Sequence, residues 1–122
     1  PPMTRTLWFG LGWLQAIGIT VLCLLPLREL PGPDGPWTDK VYHLAAFGLL
    51  MWWFAVALPR ARWTVTGLAV VLLGVCIEFA QGFVPFRAPS FADAVADTAG
   101  MFAGALLAWL TPRGLPAWRP PA

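Results

Sequence analysis

Four long apolar stretches run along this 122-residue chain and limit the folds open to it. They extend from about Leu7 to Leu27, Val41 to Leu58, Trp63 to Val84 and Phe91 to Leu110. A helix needs roughly 17–25 mostly apolar residues to cross the hydrocarbon of a bilayer, and each stretch has about that length. Because the connections between them are short, the stretches predict one all-α domain over residues 1–122, a transmembrane bundle of four helices.

Composition supports a membrane protein and argues against other classes. Hydrophobic residues make up 58% of the chain and charged residues only 11%, whereas a soluble domain carries about 25% charged residues. The net charge of +2 comes from arginines near the ends of the stretches and predicts no nucleic-acid partner. The first stretch is longer than the apolar core of a signal peptide and lacks a small-x-small cleavage pattern, so we expect it to remain as a helix.

Basic residues fall unequally at the two ends of the predicted bundle. One end holds Arg5, Arg60, Arg62, Arg113 and Arg119. The opposite end holds Arg28, Lys40 and Arg87. Because positively charged segments favour the cytoplasmic side, this bias predicts that both termini are cytoplasmic. Four tryptophans support this orientation, because they lie at the end that holds both termini, where an interfacial aromatic belt is expected: Trp8, Trp63, Trp109 and Trp118.

Polar and ionisable residues gather at the other end of the apolar stretches, which this orientation places outside the cytoplasm. The set consists of Asp39, Lys40, His43, Glu78, Gln81, Asp93 and Asp97. Pairs spaced by three or four residues share a helix face, so each of the last three helices contributes one polar face. Ionisable side chains are costly inside a bilayer, and a group of them at one depth indicates a functional site.

Two carboxylates, Glu78 and Asp97, lie deepest in the predicted helices. A chain that only spans a membrane has no need for acids there, so we assign them, with His43, as candidate catalytic acid and base groups. The alternative for His43 is an ordinary hydrogen-bonded histidine. Cys23 and Cys76 are interpreted as small hydrophobic residues, because neither belongs to a metal-ligand or redox spacing.

The remaining polar residues have structural alternatives. Either Thr38 or Asp39 is expected to cap the second helix, and Ser90 is expected to cap the fourth in a capping box with Asp93. Lys40 and Arg87 stand at head-group depth, where a basic residue either binds an anion or extends its charge toward water.

Charge and glycine patterns complete the prediction of the site. The carboxylates outnumber the basic groups near them, so the site either retains a proton or binds a cation. No cofactor motif is evident in the sequence, and a divalent cation remains open. Gly67 and Gly74 line one face of the third helix, and Gly100 and Gly104 line one face of the fourth. Small residues let membrane helices approach closely, so these two faces are expected to pack together.

Several spaced motifs between Asp39 and Gly104 resemble the VanZ-like family. They are Asp39-Lys40-x-x-His43-x-x-x-Phe47, Glu78-x-x-Gln81, Arg87-x-x-Ser90-x-x-Asp93, and Gly100 with Gly104. The chain departs from the family at Asp97, where members usually carry Asn before a Thr-x-Gly run. The resemblance implies a small multi-pass protein of the bacterial cytoplasmic membrane. The family's namesake is linked to low-level resistance to teicoplanin, a lipid-tailed glycopeptide that acts outside that membrane.

Three functions are consistent with these residues. The first is an envelope protein whose outward-facing polar pocket binds, and in one version modifies, a lipid or a lipid-linked anionic ligand such as a cell-wall precursor. Its candidate ligand-binding residues are Asp39, Lys40, Gln81, Arg87, Ser90 and Asp93. The second is a structural or adaptor role, in which the polar groups only hold the helices together. The third, which the sequence favours least, is proton or ion transport, because no acidic partner occurs in the opposite half. Whether the chain is an enzyme, and its oligomeric state, stay open.

Overall fold

The computed structural model describes residues 4–25 and 36–112, and within them the fold is all-α, as predicted. Four α-helices follow one another: α1 (Arg5–Leu24), α2 (Pro36–Ala55), α3 (Trp63–Gln81) and α4 (Phe91–Leu110). A short 3-10 helix, Arg60–Arg62, leads directly into α3. No strand occurs in the part of the chain that is described.

Three helical segments are long and apolar enough to cross a membrane, namely Arg5–Leu24, Arg60–Gln81 and Phe91–Leu110. The remaining helix, α2, has the same 20-residue length as α1 and α4. It begins with Asp39, Lys40 and His43 within its first turns, and these residues lower its hydropathy. The helix that is least apolar is therefore the one that carries most of the predicted polar residues.

The helix bounds differ from the predicted ones at several ends. α2 begins at Pro36, five residues before the predicted Val41, so Thr38 and Asp39 lie inside the first turn and the predicted cap is wrong. Proline is favoured at a first helical position because its missing N–H would have no partner there. α3 ends at Gln81 instead of Val84, since the chain turns ahead of Pro85.

Two further helix ends also differ from their predicted positions. α1 begins at Arg5, where the side chain of Thr4 accepts a hydrogen bond from Leu7 N at 3.1 Å. α2 ends at Ala55, three residues before the predicted Leu58. α4 has the predicted bounds. The predicted end of the first helix, Leu27, lies outside the described residues, as do Arg28, Arg113, Trp118 and Arg119.

The closest helix packing joins α2 to α4 through glycines. A Cβ atom built on Gly100 would collide with the carbonyl oxygen of Leu44, and one built on Gly104 would collide with the carbonyl oxygen of Gly48. Only glycine permits this approach, because any side chain would meet backbone atoms that cannot move away. The prediction that the Gly100 and Gly104 face of α4 packs against the glycine face of α3 is therefore wrong, and the partner of this face is α2.

The glycines of α3 have a different use. A Cβ on Gly67 would meet the sulfur of Met101 at 3.0 Å, and a Cβ on Gly74 would meet Asp97 Oδ2 at 2.8 Å. Both neighbours are side chains of α4, so the glycine face of α3 does pack against α4, but it accommodates large side chains there and not a second glycine face. Gly74 in particular leaves room for the carboxylate of Asp97.

Tryptophans close the end of the bundle where α1 and α3 begin and α2 and α4 end. The rings of Trp8 and Trp53 stack with their centroids 3.9 Å apart. Each indole N–H donates to the other residue's carbonyl oxygen at 2.8 Å. Trp63 Nε1 donates to the carbonyl oxygen of Ala55 at 3.0 Å. The indole N–H groups of Trp8, Trp53 and Trp63 are therefore paired within the protein.

The outer faces of the helices are apolar and exposed. Large exposed side chains occur on every helix, for example Leu14 on α1, Leu49 on α2, Leu68 on α3 and Phe102 on α4. A water-soluble protein rarely exposes apolar surface on all sides, whereas the hydrocarbon of a bilayer accommodates such a surface without penalty. The distribution is that of a membrane protein.

Candidate functional site

The antiparallel order of the helices brings three polar ends together, opposite the tryptophans. Asp39 and His43 come from the start of α2, Glu78 from the last turn of α3, and Asp93 and Asp97 from the start of α4. All but Asp39 are buried. We call the group formed by Asp39, Lys40, His43, Glu78, Asp93 and Asp97 the polar cluster.

His43 lies at the centre of the polar cluster. Its Nδ1 lies 2.7 Å from Oδ1 of Asp97, a short hydrogen bond between buried groups. Its Nε2 lies 3.6 Å from Oδ1 of Asp39, one helical turn earlier, and 3.7 Å from Oδ2 of Asp93. One ring nitrogen is therefore held by a carboxylate, while the other faces two carboxylate oxygens beyond hydrogen-bonding distance.

Lys40 lies on the outer side of the same aspartates. Its Nζ is 2.5 Å from Oδ1 of Asp93 and 3.6 Å from Oδ2 of Asp39. The lysine side chain remains one-quarter exposed, so its ammonium group is accessible from outside the bundle. Each aspartate thus directs one oxygen toward Lys40 and the other toward His43 Nε2.

Glu78 joins α3 to the start of α4. Its Oε2 accepts a hydrogen bond from Ser90 N at 2.9 Å, and Ser90 Oγ accepts one from Asp93 N at 3.3 Å. Ser90 is the predicted cap of α4, but the predicted capping box is only half formed. Asp93 turns to Lys40, and Glu78 from another helix takes over the bond that the box would assign to Asp93.

Two buried carboxylate oxygens have no hydrogen-bond partner among the described residues. They are Oε1 of Glu78 and Oδ2 of Asp97. Glu78 is only 7% exposed and Asp97 only 1%. Oδ1 of Asp93 also makes no hydrogen bond of good geometry, but it does have a partner, because it forms an ion pair with Lys40 at 2.5 Å. Buried polar atoms are nearly always paired, so the two unpaired oxygens require an explanation.

Gln81 and Arg87 bind backbone atoms at the end of α1. Gln81 Nε2 donates to the carbonyl oxygen of Cys23 at 2.9 Å. Arg87 donates through Nη2 to Leu22 and through Nε to Leu25, at 2.8 and 2.9 Å. These donors satisfy carbonyl groups that the last turn of a helix leaves without partners. The acceptors are backbone atoms, which have no residue-type signature in the sequence.

A tight turn positions Arg87 for this contact. Arg87 N donates to the carbonyl oxygen of Val84 at 3.2 Å, closing a turn with Pro85 and Phe86 at its centre. Phe86 has φ of 64°, a left-handed conformation that favours glycine. The turn that follows α3 therefore adopts an unfavourable backbone geometry where the arginine reaches back to α1.

The arrangement permits two kinds of chemistry. An imidazole oriented by a carboxylate through Nδ1 presents Nε2 either as a proton acceptor or as a metal ligand. Two sets of three donor residues have ligand atoms within 4.8 Å of one another: Asp39, His43 and Asp93, and His43, Glu78 and Asp97. Four carboxylates oppose one lysine and one histidine, so with all four acids ionised the polar cluster carries an excess of negative charge even with a charged imidazole.

Comparison with known proteins gives one result. A search of curated proteins and a search of solved structures each found no significant match. A model of the family described as VanZ/LLP1 matches residues 5–112. The match covers all four helices and every residue of the polar cluster, and it agrees with the resemblance carried by the sequence motifs. The chain belongs to the VanZ/LLP1 family.

Proposed function

We propose that this chain is a multi-pass protein of the bacterial cytoplasmic membrane in which all four helices span the bilayer. The exposed apolar faces of every helix, α2 included, support this arrangement. Arg5, Arg60 and Arg62 lie at the tryptophan end, while Lys40 and Arg87 lie at the opposite end. Following the positive-inside rule, the tryptophan end and both termini are cytoplasmic, and the polar cluster lies at the outer leaflet.

In this orientation the polar cluster binds the head group of a lipid, or of a lipid-linked cell-wall precursor. The observation that carries this proposal is the pair of buried, unpaired oxygens on Glu78 and Asp97. Buried acceptors are nearly always paired, and leaving one unpaired costs about 1–3 kcal/mol, so a network that only held helices together is expected to pair them. Hydroxyl or amine groups of a bound head group would supply the missing donors.

The anionic part of the ligand is assigned to Lys40. Its ammonium contacts Asp39 and Asp93 within the polar cluster and stays partly exposed. Arg87 is no longer a first choice for this role, because two of its nitrogens already bind carbonyl groups of α1. A phosphate at the rim would therefore approach Lys40, while the donors of the head group reach the acids below.

An apolar groove lies elsewhere in the bundle, and none of its lining residues belongs to the polar cluster. It has a volume of about 610 Å³ between α1, α2 and α3, and its lining includes Trp13, Ile17, Leu50, Phe54 and Val70. Nearly all of its lining is apolar, as an acyl chain requires.

Lipid retention tests the proposal. The full chain is purified with native lipid, and bound lipid is identified by native mass spectrometry in wild type, Lys40→Met and Arg62→Met. Losing one charge-assisted hydrogen bond of about 1.5–3 kcal/mol should weaken anionic-lipid binding by roughly tenfold or more in Lys40→Met. Arg62→Met removes the same charge at the opposite end and should retain the lipid. Equal retention by both variants would overturn the assignment.

The same pair of variants tests a role in glycopeptide tolerance. We propose that binding at the outer leaflet lowers the susceptibility of the cell to lipid-tailed glycopeptides such as teicoplanin. Expression of wild type or Arg62→Met should raise the inhibitory concentration of teicoplanin, and Lys40→Met at the same protein level should not. Unchanged susceptibility with wild type would contradict this role while leaving lipid retention to be judged separately.

A further inference from the structure

We propose that Asp39, His43 and Asp93 bind one divalent transition-metal ion. Oδ1 of Asp39, Nε2 of His43 and Oδ2 of Asp93 would be its protein ligands. This inference goes beyond lipid binding and stands on the geometry of the polar cluster alone, so it can hold or fail independently of the ligand proposed above.

The separations of these atoms suit a shared ion better than direct hydrogen bonds. Nε2 of His43 is 3.6 Å from Asp39 Oδ1 and 3.7 Å from Asp93 Oδ2. Hydrogen bonds of this type are about 2.7–3.2 Å long. Two ligands that each bind one ion at about 2.1 Å in tetrahedral geometry lie about 3.4 Å apart. Small movements of the side chains would therefore complete the coordination.

Each ligand is already oriented by a second contact. Asp97 Oδ1 lies 2.7 Å from Nδ1 of His43 and would accept a hydrogen bond from a protonated Nδ1, which leaves Nε2 free to bind the ion. Lys40 holds the other oxygens of both Asp39 and Asp93. Metal-binding histidines almost always have such a carboxylate on the second nitrogen, and ligating carboxylates are themselves hydrogen-bonded. The polar cluster contains both kinds of support.

A second set of donor residues adjoins the proposed ligands, because the donor atoms of His43, Glu78 and Asp97 lie within 4.8 Å of one another and His43 belongs to both sets. Glu78 and Asp97 each hold a buried oxygen without a hydrogen-bond partner among the described residues. A dication would also reduce the excess of negative charge in a buried group, and it would let an acidic pocket attract an anionic head group.

The donor set indicates the class of ion. Imidazole suits zinc and iron, whereas carboxylates suit manganese, magnesium and calcium. One imidazole and two carboxylates with open positions therefore favour a first-row transition-metal dication over Ca²⁺ or Mg²⁺, which prefer oxygen ligands alone. Mn²⁺ is the most informative probe, because its electron spin reports both binding and a coordinated nitrogen.

The test is titration of Mn²⁺ into the full chain in phosphatidylcholine nanodiscs, which contain no anionic lipid. We expect electron paramagnetic resonance to show one saturable site per chain, and spin-echo spectra to show the nitrogen of His43. Zn²⁺ should displace the Mn²⁺. Asp39→Asn should weaken binding tenfold or more, since it removes one charged ligand from a side chain that is partly exposed and so tolerant of substitution. Arg62→Met, at the opposite end of the bundle, changes no proposed ligand and should bind Mn²⁺ as wild type does.

Three results would overturn the site. One is the absence of saturable Mn²⁺ binding in wild type that circular dichroism shows to be folded. The second is equal affinity in wild type and Asp39→Asn, and the third is bound Mn²⁺ without a nitrogen signal. The lipid proposal is judged by its own variants, Lys40→Met and Arg62→Met, so failure of one does not imply failure of the other.

Discussion

Glu78 combines a structural bond and an unsatisfied acceptor in one side chain. Its Oε2 anchors the start of α4 through Ser90 N, and its Oε1 has no partner among the described residues. The sequence indicated that an acid at this depth serves a site, and it predicted Ser90 as a helix cap. It did not predict that the two residues bond to each other, because they lie 12 positions apart on different elements.

Two substitutions at Glu78 separate these roles. Glu78→Gln keeps a side-chain oxygen that can accept from Ser90 N, so its thermal stability in detergent should stay close to that of wild type. Glu78→Ala leaves the Ser90 N–H without its acceptor and should lose about 1–3 kcal/mol of stability. Both variants should lose bound lipid, as measured by native mass spectrometry. If Glu78→Gln is as stable as wild type and retains its lipid, the proposed site is wrong; if it unfolds as readily as Glu78→Ala, the charge is structural.

Among the helices, the pair α2 and α4 determines the geometry of the site. Their glycine contact sets the distance across which His43 on α2 meets Asp97 on α4. A pattern of glycines four residues apart predicts close packing but not the identity of the partner. Gly48 stands alone in α2, without a second glycine at that spacing, and therefore carried no such signal.

A methyl group at this contact should weaken the bundle. In Gly104→Ala the added Cβ would overlap the carbonyl oxygen of Gly48, so the helices must separate, and we expect a loss of about 1–3 kcal/mol in thermal unfolding. Gly10→Ala is the matched control, because no heavy atom lies within 4 Å of its Cβ position. This control should be neutral or slightly more stable, since alanine favours helix. Equal stability of both variants would contradict the close contact of α2 and α4.

At the scale of the whole molecule, the two ends of the bundle differ in chemistry. At the tryptophan end the indole N–H groups of Trp8 and Trp53 are paired internally, whereas the opposite end holds the polar cluster and its unpaired oxygens. α1 is fastened at both ends, by Trp53 near its start and by Gln81 and Arg87 near its finish. Between these contacts it leaves the apolar groove.

Cysteine labelling tests the proposed orientation. In a chain with Cys23→Ala and Cys76→Ala, single cysteines are introduced as Ala61→Cys beside the start of α3 and Ala88→Cys beside the start of α4, both at exposed positions. A membrane-impermeant maleimide added to intact spheroplasts should label Ala88→Cys alone. Ala61→Cys should be labelled only after permeabilisation. The reverse pattern would place the polar cluster in the cytoplasm and contradict a ligand from the outer leaflet.

By itself, the sequence determined the all-α class, the approximate helices and the end of the bundle where ionisable residues gather. These properties depend on local composition and on the spacing of residues within one helix. Only the tertiary structure decided that α4 packs its glycines on α2, that Glu78 binds Ser90 N, and that Arg87 binds carbonyl groups of α1. Each of these contacts joins distant parts of the chain. In each, one partner is a backbone atom, which every residue type carries, so the sequence contains no signal for that partner.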